Sequence, residues 1–143
     1  MHAREAMSNA IRSKRVMTAQ AAGSTVLNST GVYTADGEKV RFKIHFGTIT
    51  VAPTIKVQRC DTLGGTYADI TDAVYEEHDL DDDDKMGIVE LVNTAGPYMR
   101  LVIDRTGGNS EINSVEAEVA GMDVVPVTQD DTVITPKIHI GLA

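Results

Sequence analysis

The chain has 143 residues, one cysteine and a formal net charge of −8. A chain of that length buries roughly two-thirds of its unfolded surface in one domain without staples, and a lone Cys60 forms no internal disulfide. The acidity argues against nucleic acid as the main partner, because phosphate backbones are bound by clustered Lys and Arg. A membrane partner is not expected either, since no apolar run reaches the roughly eighteen residues of a span and no secretion-type apolar stretch follows the basic N-terminus.

The charge is unevenly spread. Residues 1–15 carry Arg4, Arg12, Lys14 and Arg15 against Glu5, a local balance of +3 that leaves −11 for the remainder. Residues 1–23 therefore read as a basic N-terminal arm on an acidic body. A short helix within residues 3–20 would place Ala3, Met7, Ala10, Ile11 and Met17 on one side, a thin stripe that needs a partner to persist. Two readings stay open, a frayed tail and an arm that orders on a neighbouring surface.

Ser24 to Thr34 reads as a first β region, and Asp36-Gly37 as a turn. In residues 39–50, Val40, Phe42, Ile44 and Phe46 alternate with Arg41, Lys43 and His45, the period of a half-buried strand. His45 falls on the polar face, as a solvated side chain and not a ligand or base. After Pro53, residues 54–72 read as a hairpin: Ile55 and Val57 alternate with Lys56 and Gln58, and Gly64-Gly65 is expected to supply the positive φ angles of the reversal. Cys60 is a small core side chain in this reading, with no basic neighbour in sequence to make it reactive.

Residues 71–85 hold Asp72, Glu76, Glu77, Asp79 and the run Asp81 to Asp84, a charge density that confines them to a surface loop. Asp79, Asp81, Asp83 and Glu90 match positions one, three, five and twelve of a calcium loop, but position six is Asp84 where that loop needs Gly, and the flanks read as strands. No metal or cofactor is assigned. Met86 to Val92 and Tyr98 to Asp104 are two further strands. In residues 112–120, Val115, Ala117 and Val119 face inward with Ser114, Glu116 and Glu118 outward. Residues 126–143 are interrupted by Pro126 and Pro136 and hold the β-prone pieces Thr132 to Thr135 and Lys137 to Ile140, an edge strand or an extended segment laid on a neighbour.

Strands every eight to sixteen residues with no convincing helix between them point to an all-β fold, an antiparallel β-sandwich of jelly-roll type with an N-terminal arm or short helix, its body spanning residues 24–125. No nucleophile elbow, phosphate loop, dinucleotide fingerprint or paired metal-ligand spacing appears, so catalytic residues are not assigned and an enzyme is not expected.

Val40-Arg-Phe-Lys-Ile-His-Phe-Gly-Thr-Ile49, then IKVQRCDTLGGTYADITD over residues 55–72, then Pro97-Tyr-Met-Arg-Leu-Val-Ile103 follow one another in an order that resembles the capsid decoration, or cement, proteins of tailed bacteriophages. The resemblance covers residues 24–125 and implies a structural virion protein on the outer capsid surface, made in the host cytoplasm during assembly. Its implied partners are the major capsid protein and further copies of itself, most simply as a trimer. On this reading Arg12, Lys14, Arg15 and Met17 contact the shell, and Ile134, Ile138 and Ile140 pack between subunits. The alternatives are a tail, baseplate or fibre component, or a calcium-dependent glycan-binding module.

Overall fold

A computed structural model describes residues 6–75, 83–92, 96–123 and 126–136. Among the described residues, ten strands follow a single helical turn, α1 (Met7–Ala10): β1 (Arg12–Met17), β2 (Gln20–Gly23), β3 (Val26–Asn28), β4 (Val32–Tyr33), β5 (Lys39–Phe46), β6 (Thr54–Cys60), β7 (Ala68–Tyr75), β8 (Met86–Val92), β9 (Tyr98–Asp104) and β10 (Ser110–Ala120). Two antiparallel sheets form an open sandwich. One runs β1-β10-β5-β8, with β2 also on β10, and the other runs β3-β9-β6-β7, with β4 also on β9. The all-β antiparallel sandwich is thus as expected, and its strand order is compatible with a jelly roll.

Alternation explains the core. Val40, Phe42, Ile44 and Phe46 of β5 lie on one face and meet Val115, Ala117 and Val119 of β10 in register. Ile55 and Val57 of β6 and Met99, Leu101 and Ile103 of β9 close over them from the opposite sheet, all fully buried. Sheet-on-sheet packing of this kind removes the aliphatic faces from water at about 25 cal/mol per Å² of apolar surface.

Two expectations about local structure are corrected. The helix expected within residues 3–20 is confined to the turn Met7–Ala10, because Arg12–Met17 gains more by pairing antiparallel with β10, from Arg12 opposite Val119 to Met17 opposite Val115. The link between β6 and β7 is not a two-residue glycine reversal. It occupies residues 61–67, and among the described glycines only Gly107 (φ 86°) and Gly121 (φ 66°) adopt positive φ. Gly65 is needed for a different reason: a Cβ there would lie 2.7 Å from the Cys60 sulfur, which the turn covers.

Candidate functional site

The two flanks of the sandwich differ in how their edges are finished. On the β1 flank, the register places Arg12 and Lys14 on the same face of the sheet as Val119 and Ala117, which is the inner face. Their long stems run inward and their charged ends emerge at the neighbouring edge. Arg12 donates to the Tyr33 carbonyl and pairs with Asp36, with a second contact to Asp36 of 3.1 Å. Lys14 Nζ donates to the Gly31 carbonyl at 3.0 Å and lies 3.9 Å from Asp130. These two cations clasp one sheet to the other.

The same flank is capped from outside. The Ser13 amide donates to Gln129 Oε1 at 2.8 Å and the Arg15 amide to Thr132 Oγ1 at 2.9 Å, so side-chain oxygens satisfy alternate amides of an edge strand. Gln129 Nε2 in turn donates to the carbonyls of Ser8 and Ile11. Asp130 holds this segment's turn. Burial pushes its carboxyl up, but hydrogen bonds from the Thr132 amide and hydroxyl, with Lys14 nearby, outweigh burial and leave it below the ordinary value of 3.8.

Among the described residues, the opposite flank has no such finish. β7 and β8 end their sheets there, and a cleft of about 360 Å³ lies between them, lined by Ile70, Thr71, Ala73 and Val74 from one strand and Ile88, Val89, Glu90 and Leu91 from the other. Val92 is 60% exposed and Val74, Met86 and Ile88 are about half exposed, an unusual gathering of aliphatic side chains on one edge. Among the described residues, no strand pairs beyond β8.

Away from β8, the outer faces carry polar networks. On the first sheet, Glu118 receives Arg41 at 3.0 Å and Lys43 at 2.9 Å, and Glu116 lies 3.2 Å from His45 Nε2. On the second, Arg100 sits 4.3 Å from the Tyr67 ring centroid and donates to Gln58, which donates to Asp69. Burial raises the Tyr67 hydroxyl above its ordinary value of 10.0, Cys60 adds to the rise and Arg100 opposes it. Tyr33 packs edge-on against Tyr98 at 5.4 Å. Three of the four tyrosines therefore lie on one face although they are scattered in sequence.

The residues assigned to a partner in the sequence divide. Met17 is 7% exposed and belongs to the core, so it is not a surface contact: a β-bulge after Arg15 turns both Val16 and Met17 inward. Arg12 and Lys14 are committed to the clasp. Arg15, opposite Glu116 on the outer face, is exposed. Ile134 is 92% exposed, whereas Ile138 and Ile140 lie outside the described residues. Of the calcium spacing, Asp79 and Asp81 also lie outside them, while Asp83 accepts the Ile49 amide at 2.6 Å. Among the described residues no group of three His, Cys, Asp or Glu side chains is arranged to hold a metal.

Sequence reading missed Arg105, which is 5% exposed and has no carboxylate paired with it among the described residues. It donates to the carbonyls of Ala21, Thr25 and Ser110 and to the Thr25 hydroxyl. A lone cation in a polar turn gives no pattern from which such a role can be read. Compared with known proteins, the chain matches no family model and no curated protein.

Proposed function

We propose that the chain is a structural virion protein, a capsid decoration protein that binds the outer shell and stabilises it by bridging major capsid protein subunits. The observation that carries this reading is the uneven finish of the sandwich: one flank clasped and capped, the other left with exposed aliphatic side chains around an open cleft. Surface of that kind marks contact with other protein. The order of strands and turns over residues 24–125, with its resemblance to decoration proteins, supplies the kind of partner.

The mechanism is mass action. A protein that binds the assembled shell and not its dissociated subunits stabilises the shell as any ligand stabilises the state it prefers. Contacts repeated by symmetry then add through multivalency, most simply with a trimer as the bound unit. Among the described basic residues of the N-terminal segment, the exposed Arg15 would meet an acidic partner, and the exposed Ile134 would pack between subunits.

Mixing the purified protein with undecorated heads tests the reading. Saturable binding and a raised shell melting temperature are expected. Labelled antibody confined to tails, with heads left bare, would overturn it.

A further inference from the structure

We propose that the β7/β8 cleft receives residues 137–140 of a second copy of this chain, added as a strand along the free edge of β8. This rests on the self-associating role proposed above and specifies where the association occurs.

The occupant follows from where the described chain stops. Val133, Thr135 and Pro136 lie beside Ser8 and Asn9, and Gln129 and Thr132 bind β1, so the C-terminal segment leaves the body at the β1 flank. The residues that follow are Lys137-Ile-His-Ile140. Reaching β8 of the same molecule means crossing three strand spacings, about 14 Å at roughly 4.8 Å each. That crossing consumes about four residues at roughly 3.4 Å per residue, which are the same alternating residues that would have to pair. A neighbouring molecule removes the conflict.

The side chains fit the edge in one phase. Strand addition continues both faces of the sheet at period two. With Ile138 and Ile140 turned inward, they extend the row of Val89 and Leu91 over Ile70 and Ala73 of β7. Lys137 and His139 then continue the outer face, where Glu90 stands between the exposed Ile88 and Val92. The opposite phase would put a lysine over the aliphatic Ile70 and Ala73, which pack against the core. Because donor and acceptor occupy opposite flanks, the contact is head-to-tail, a kind that closes as a ring, such as a trimer, when the rotation between copies divides the full turn.

The test compares the full chain with a chain ending at Pro136 and with the double variant Ile138→Asp, Ile140→Asp. None of these changes touches the described core. Sedimentation velocity should show the full chain as a closed oligomer and both variants as monomers with unchanged melting by circular dichroism. Hydrogen exchange at the amides of residues 86–92 should be at least about tenfold faster in the variants, as an edge loses its partner. Three results overturn the proposal: a monomeric full chain, an oligomer that survives the truncation, or β8 exchange that the truncation leaves unaltered. Head binding is scored separately. A monomeric full chain that still coats heads defeats the strand addition alone, and an oligomer with protected β8 that ignores heads defeats the decoration role alone.

Discussion

Arg105 holds Thr25 twice, through Nε to its carbonyl at 3.2 Å and through Nη2 to its hydroxyl at 2.9 Å. Thr25 lies in the link between β2, which belongs to one sheet, and β3, which belongs to the other. Arg105 Nη1 also binds the carbonyls of Ala21 and Ser110, both at 2.8 Å, so one guanidinium fastens the crossover to the turn between β9 and β10. The charge is buried, and carbonyl dipoles carry its compensation.

Replacing Arg105 with Met leaves those carbonyls without a donor and is expected to cost about 3 kcal/mol or more. Arg105→Lys keeps the charge but not the planar fork and is expected to recover only part of the loss. Urea denaturation at an unchanged m-value measures both.

Gln129 caps β1 by accepting from Ser13 while donating to Ser8 and Ile11. Gln129→Ala is expected to cost about 1–2 kcal/mol and to speed amide exchange at Ser13. Gln129→Glu keeps the acceptor and loses both donors, so it should retain protection at Ser13 yet still destabilise.

Deleting residues 1–17 removes β1 together with the buried Val16 and Met17. At roughly 2–5 kcal/mol for each large core side chain, the loss is comparable with the whole stability of a domain. The truncated chain should be unfolded by circular dichroism. Arg15→Ala, by contrast, should leave the melting temperature nearly unchanged and weaken binding to heads, which separates a docking role from a structural one.

Glu118 makes the outer ladder pH-dependent. Burial pushes its carboxyl up, but the hydrogen bond and charge of Lys43, with those of Arg41, outweigh burial and hold it below the ordinary value of 4.5. Its contribution is therefore complete above pH 4.5 and is lost as the pH falls through the lowered value. Glu118→Gln should reduce stability at neutral pH by about 0.5–1 kcal/mol and flatten the acid limb of a melting-temperature profile.

The strands of β5, β8, β9 and β10 were legible because alternation is local: eight residues such as Lys39–Phe46 carry their own evidence of two faces. The N-terminal strand was not, since Arg12–Met17 has three cations and no clean period, and it becomes a strand only because β10 offers an unpaired edge more than a hundred residues away. The same distance hides the candidate surface. Ile70, Ile88 and Leu91 read as ordinary strand residues, and Val74 as part of an acidic surface loop, until the sheet order leaves β7 and β8 outermost on one flank.

Composition and period two were enough, by themselves, to determine an all-β sandwich, because they state which side chains must leave water. Which cations face inward, where a guanidinium is buried among carbonyls and which edge stays open were decided only by tertiary structure. Each of those depends on backbone groups that sequence distance separates and pairing brings together.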